Sequence, residues 1–172
     1  MKKIAIVALL SAFAAAPALA ENYIGVNVGS AKIDLSGASN TSSFALLGGF
    51  GVNENVAIEV AYTSFGKDNA ANGSIKSKGV SFSGVGSYPI NEQFSVFGKL
   101  GFASTTVDVT VLTGPFAGSG SSSKTGLTYG FGAQFNVNKQ VGIRAGYDSY
   151  KIGDSSSSSD QNVMSIGGIF KF

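Results

Sequence analysis

Three charged residues stand where charge is expensive. Glu59, Lys99 and Arg144 each fall mid-way along a stretch in which large apolar side chains alternate with small ones, and each lies on the small-residue face. Isolated charges in such surroundings are costly. Both signs are present, so mutual pairing is the natural solution. Two uses follow: a salt-bridge network that sets register and blocks a channel, or a gate that selects a small solute. The blocked channel is the stronger expectation, because a small barrel has little unoccupied interior. Asn27, Gln134 and Asp148 share that face and join the polar set.

Other chemistries find little support. Histidine and cysteine are both absent, which removes the usual general base near neutral pH, the commonest metal ligand and any thiolate or disulfide. Asp148, Asp154 and Asp160 do not have the spacing of an EF-hand loop and read as solvated loop charges, with no metal expected. Gly49-Phe50-Gly51 and Gly84-Val85-Gly86 lack the third glycine of a dinucleotide fingerprint. They fit better as small residues where strands curve or pack closely. Asn40-Thr41-Ser42 and Asn72-Gly73-Ser74 match the glycosylation sequon, a weak signal. No cofactor is expected.

The N-terminus sets the compartment. Lys2 and Lys3, an apolar run from Ile4 to Ala16, and the small-residue site Ala18-Leu19-Ala20 compose a secretory signal peptide, residues 1–20, cleaved after Ala20. The run is shorter than the roughly 20 residues a membrane helix needs. Without Lys2 and Lys3 the 12 basic residues fall to 10, equal to the 10 acidic ones. That balance gives no electrostatic case for a nucleic-acid partner. Residues 21–172 then have a single-domain length.

What positions the charges is a set of strands. Only 13% of residues are charged, and 24 glycines stand against three prolines. Apolar character arises by alternation, as in a transmembrane barrel. One tetrapeptide form recurs: Asn53-Glu54-Asn55-Val56, Asn91-Glu92-Gln93-Phe94 and Asn138-Lys139-Gln140-Val141. Each follows an apolar strand end and reads as a short turn. Between these turns lie polar stretches at Ala31–Ser42, Gly66–Lys78, Thr105–Lys124 and Gly153–Gln161, read as long loops. Three turns and four loops give eight strands, near 23–30, 43–52, 56–65, 79–88, 93–104, 125–137, 140–151 and 162–172. The expected fold is all-β, an eight-stranded antiparallel up-and-down transmembrane β-barrel. Val107, Val109 and Val111 run opposite in phase to Phe94, Val96, Leu100 and Phe102. A bulge in the fifth strand accounts for this; a partner-binding ridge is the alternative.

The apolar parity carries Ile24, Val26, Val28, Phe44, Ile58, Tyr62, Phe82, Leu100, Phe131, Ile143, Ile166 and their neighbours. Turned inward, these side chains would overfill an eight-stranded interior, and the outside would be too poorly charged for a soluble surface. Turned outward they meet lipid. Aromatic spacing agrees: Phe44 and Phe50, Phe82 and Tyr88, and Tyr129 and Phe135 sit six apart, near the spacing of two interfacial girdles.

The signal peptide, "YIGVNVGSAKI", "GSYPINEQFSVFGKLGF", "VGIRAGYDSY" and the terminal "GIFKF" resemble the small bacterial outer-membrane β-barrel family, similar to the OmpA-like transmembrane domain and OmpX/Ail-type surface proteins. The resemblance implies a cell outer membrane location, contact with outer-membrane lipid and lipopolysaccharide, and a monomer. It also implies that Phe170 and Phe172 form an assembly signal read by the barrel-assembly machinery. Enzymes among small outer-membrane barrels rely on a catalytic histidine, so a non-enzymatic role is expected: envelope integrity, or adhesion to a host or surface ligand through the loops. A narrow porin-like channel is the alternative. Nothing here matches the peptidoglycan-binding domain that follows the barrel in full-length OmpA proteins, so no cell-wall anchoring is expected.

Overall fold

A computed structural model describes residues 21–33, 41–70, 73–111, 118–152 and 159–172; the signal peptide assigned to residues 1–20 lies outside them. Eight antiparallel strands close into a barrel in sequence order. They are β1 (Tyr23–Ile33), β2 (Thr41–Gly51), β3 (Val56–Ala70), β4 (Gly73–Pro89), β5 (Phe94–Val111), β6 (Gly118–Asn136), β7 (Val141–Ile152) and β8 (Ser159–Lys171). Closure pairs β1 with β8, so the membrane-spanning wall has no open edge.

Register fixes the shape. Stepping across the barrel from Tyr23, Cα partners run through Gly49, Glu59, Ser83, Gly101, Thr128, Tyr150 and Gln161. The circuit returns to Ile33, ten residues further along β1. Ten rises of about 3.3 Å against eight strand spacings of about 4.8 Å tilt the strands by roughly 40°, within the range of membrane barrels.

The three short turns are built alike. Asn53 Oδ1 accepts from the backbone N–H groups of Asn55 and Val56, at 2.9 and 2.8 Å. Asn91 does the same for Gln93 and Phe94, and Asn138 for Gln140 and Val141. These are Asx-turns; among the described residues no non-glycine residue has a positive φ. The carbonyl of each third turn residue then accepts from the strand beyond the next: Asn55 from Ser87 on β4, Gln93 from Asn136 on β6, Gln140 from Lys171 on β8.

The polar stretches hold more strand than the sequence suggested. β3 continues to Ala70 and β4 starts at Gly73, while β5 and β6 reach Val111 and Gly118. The inferred bulge in β5 is absent, because its pairing to both neighbours is unbroken from end to end. The phase changes because the solvent changes. On the outward parity of β5, Val96, Leu100 and Phe102 give way to Ser104, Thr106 and Asp108, and Val107 simply continues the inward parity. The same boundary crosses β4 between Val80 and Lys78 and β6 between Leu127 and Thr125. Val80, Ser104 and Thr125 stand in one register row. Above it Lys78 pairs with Asp108 at 2.9 Å and Thr106 with Ser123 at 2.8 Å. The bulge that does exist is in β3, where register shifts between Ser64 and Lys67 and Gly66 takes φ +87°.

Candidate functional site: a charged plug in the lumen

The outward parity is exposed and large: Phe82, Leu100, Phe102, Phe131 and Met164 all stand out from the wall. The inward parity is small, and its glycines have a specific task. Tyr23, Gly49 and Glu59 share one register row on β1, β2 and β3. The Tyr23 ring lies across Gly49, where a Cβ would come within 2.0 Å of it. Lying flat, the ring delivers its hydroxyl to Glu59 Oε2 at 2.9 Å. Across β5, β6 and β7 the arrangement repeats with Lys99, Gly130 and Asp148 in one row. A Cβ on Gly130 would meet Asp148 Oδ1 at 2.1 Å and Lys99 Cε at 3.0 Å. Phe97 likewise covers Gly132. Glycines on one strand make room for the large side chains of the next.

Glu59 is the hub and is 2% exposed. Arg144 donates to its Oε2 at 2.5 Å, and Lys99 donates to its Oε1 at 3.2 Å. Lys99 also lies 2.9 Å from Asp148 Oδ1, an ion pair without well-aligned hydrogen-bond geometry. The Arg144 guanidinium sits 3.9 Å from the centre of the Phe97 ring and 5.4 Å from that of Tyr23, close enough for cation–π attraction. Two carboxylates face two cations, so the ionised cluster is neutral as a whole. Such a network is weak evidence for stability, but removing one member is expensive because its partners stay buried.

Apolar residues pack against the charges toward both ends of the barrel. Tyr23, Leu47, Ala61 and Ile169, with Ala57, form one cluster beside Glu59; Tyr23, Ala57 and Ile169 stand at its short-turn end, and Leu47 and Ala61, two residues along β2 and β3 from Gly49 and Glu59 toward the long loops, border a cavity next to Lys99 and Asp148. Ala31, Phe65, Ala103, Tyr150 and Val163 pack toward the long-loop end, with Phe65 edge-on to Tyr150 at 5.1 Å. Between the charges and this upper layer, that cavity, bordered also by Asn27, Thr63 and Tyr150, has room for about one water molecule.

The structure therefore brings together Glu59, Lys99 and Arg144, with Asp148 as a fourth member. Gln134 stands beside Arg144 in register but donates instead to Asn136 Oδ1 at 2.8 Å. Phe170 and Phe172 are on the outer surface, and Phe172 exchanges two backbone hydrogen bonds with Asn22 at the β1–β8 seam. Sequence reasoning missed Tyr23 and Phe97. The signal that could have found them is a glycine facing each across a strand pair. Of the three aspartates weighed for calcium, Asp148 is an ion-pair partner in the lumen and Asp154 lies outside the described residues. Among the described residues no cluster of ligating side chains could hold a metal ion.

Comparison with known proteins agrees with this architecture. Among solved structures the chain is similar to Ail, the attachment invasion locus protein of Yersinia pestis, with 23% identity, a TM-score of 0.66, and 90% of this chain and 99% of that one covered. Ail is also known in complex with the heparin analogue sucrose octasulfate. Neisserial surface protein A matches with a TM-score of 0.75 at 18% identity, covering 88% and 97% of the two chains. OprG of Pseudomonas aeruginosa matches at 0.63 and 16%, covering 90% and 96%. No curated protein matches. The model of the outer membrane protein beta-barrel domain matches residues 5–172, and the chain belongs to that family.

Proposed function

We propose that this outer-membrane protein is a non-enzymatic, plugged barrel that serves envelope integrity or surface adhesion through its extracellular end. The observation that carries the reading is the buried Glu59-centred ion-pair cluster in the lumen, with apolar side chains packed against it toward both ends. A family habit of short periplasmic turns and longer extracellular loops assigns the Asn turns, with the start of β1 and the end of β8, to the periplasm. The strand extensions of β3–β6 then stand outside the cell. The heparin analogue bound by Ail is a property of that protein, and it makes adhesion to an extracellular polymer a reasonable role here. In the same reading residues 1–20 are removed after Ala20, and the Glu21 carboxylate lies 2.8 Å from Lys171 at the closing seam. The competing reading is a narrow channel for small solutes. Reconstitution into potassium-loaded vesicles separates the two: a plugged barrel should release potassium no faster than empty vesicles, and rapid release would favour the channel.

A further inference from the structure

Three register rows of the lumen place a glycine between two polar side chains. In two of them the side chains meet over the glycine: Tyr23 and Glu59 over Gly49, and Lys99 and Asp148 over Gly130. The third row runs Asn27, Gly167, Arg144. Asn27 lies over its glycine in the same way, with Oδ1 2.2 Å from where a Gly167 Cβ would stand. Its row partner is engaged elsewhere, because Arg144 turns to Glu59. Asn27 Oδ1 is left buried without a hydrogen-bond partner. So is Asp148 Oδ1, whose contact with Lys99 is poorly aligned. Both residues border the cavity that has room for about one water molecule.

A buried acceptor that goes unmet costs free energy, so whatever fills this space must donate twice. The remaining wall can give protons back. The Thr63 and Tyr150 hydroxyls are 3.3 Å apart, and whichever donates to the other, the second keeps a proton to offer. Lys99 borders the cavity too, with one N–H beyond those directed at Glu59 and Asp148. Two acceptors and at least one donor around a one-molecule space match the usual partners of a buried water. A metal cation would also find oxygen, from Asn27, Ser43, Thr63, Asp148, Tyr150 and Ser165. Charge opposes it. Glu59 and Asp148 are already matched by Arg144 and Lys99, and a further positive charge against Lys99 would be buried without compensation.

We propose that this cavity is a binding site for a single water molecule, which bridges Asn27 on β1 to Asp148 on β7 and makes Asn27 a further polar member of the plug. The bridge passes over β8, the strand between those two. It supplies the aligned hydrogen bond that Lys99 does not give Asp148 Oδ1. Lys99 therefore need not swing away from Glu59, 3.2 Å distant, to satisfy its second carboxylate. The inference rests on the plugged reading of the lumen and adds to it a hydrated point that is not a path.

Crystals of the full barrel, at a resolution that shows ordered water, test the site directly. One water should lie within hydrogen-bond distance of both Asn27 Oδ1 and Asp148 Oδ1, and a rubidium chloride soak should leave no anomalous peak there. Empty density, a direct hydrogen bond between the Asn27 carboxamide and Asp148, or rubidium in the cavity would each overturn the proposal. Urea unfolding supplies the solution test. Ala45 stands between Asn27 and Thr63 in register and lines the cavity. Ala45→Val should expel the water, leave both oxygens unmet and lower the folding equilibrium constant about tenfold or more. Ala45→Ser brings a hydroxyl to the same place and should keep most of the parent stability. In an Asn27→Leu background one acceptor is gone, so Ala45→Val should cost much less. If Ala45→Val does not fold, Ser165→Val fills the cavity from β8 in its place. An equal cost with and without Asn27→Leu would overturn the bridge. No water in a barrel whose vesicles retain potassium would remove the site and leave the plug standing; vesicles that leak would strike the plug itself.

Discussion

Gly49→Ala adds one methyl group to the lumen and should cost more than its size suggests. The new Cβ would lie 2.0 to 2.5 Å from three atoms of the Tyr23 ring. Ordinary carbon contacts are about 3.5–4.0 Å, so the ring must retreat by roughly 1.5 Å. It has little room, with Leu47, Ala61 and Ile169 packed around it. Its hydroxyl is 2.9 Å from Glu59 Oε2, and that retreat breaks the bond. Overpacking costs about 1–3 kcal/mol and a lost hydrogen bond to a charged group about 1.5–3 kcal/mol. The sum is roughly 3–5 kcal/mol after partial relaxation. Reversible urea unfolding of the barrel in lipid vesicles, followed by tyrosine fluorescence, should show a lower midpoint at unchanged slope. Two controls sharpen the reasoning. At Gly86 a Cβ meets nothing within 4 Å, so Gly86→Ala should leave stability unchanged or slightly improved. In a Tyr23→Ala background, Gly49→Ala should lose most of its cost. A Gly49→Ala barrel within about 0.5 kcal/mol of the parent, or no coupling to Tyr23, would refute the idea that glycines seat the large lumen side chains.

Glu59→Ala should destabilise by roughly 3–5 kcal/mol, because Arg144 and Lys99 are left buried without their shared carboxylate. Adding Arg144→Ala should recover part of that loss, measured as a double-mutant cycle in the same unfolding assay, and recovery should be smaller with Lys99→Ala because Lys99 keeps Asp148. On the outer sheet, hydrogen bonds from Lys78 and then Ser121 hold the Asp108 carboxyl below the usual aspartate range. The folded pKa is depressed, so the pair's contribution is complete above the unfolded value of about 3.9 and is lost as pH falls through the folded one. Amide protection around Asp108 should fall on acidification below about pH 4 in the parent and not in Asp108→Asn. Deleting Phe172 should slow insertion in cells far more than it lowers the stability of refolded protein; equal losses in both would make it an ordinary lipid-facing residue.

Much of the wall was legible in the sequence because lipid and lumen demand opposite side chains at alternate positions. The three Asn turns located strand ends that the structure places within a residue or two, since each turn depends on one side chain capping two backbone amides. The extensions of β4, β5 and β6 were hidden for a physical reason. Beyond the lipid, outward positions such as Thr106, Asp108 and Ser123 turn polar while pairing continues, so a strand reads as a loop and Val107 reads as out of phase. In the lumen, Glu59, Lys99 and Arg144 were visible as charges among small residues. Tyr23 and Phe97 were not, because their places are made by Gly49 and Gly132 on neighbouring strands. That complementarity is a property of register, which parity alone does not supply.

Single-channel recording across a planar bilayer, on the unmodified barrel, tests the sealed lumen most directly. With Glu59, Lys99, Arg144 and Asp148 paired in the lumen between Tyr23 and Tyr150, the parent should pass no steady current at moderate voltage. Brief openings should appear, if anywhere, only when Glu59→Ala unlocks the cluster. A steady, ion-selective current from the parent would contradict the plug and make the lumen a conduction path.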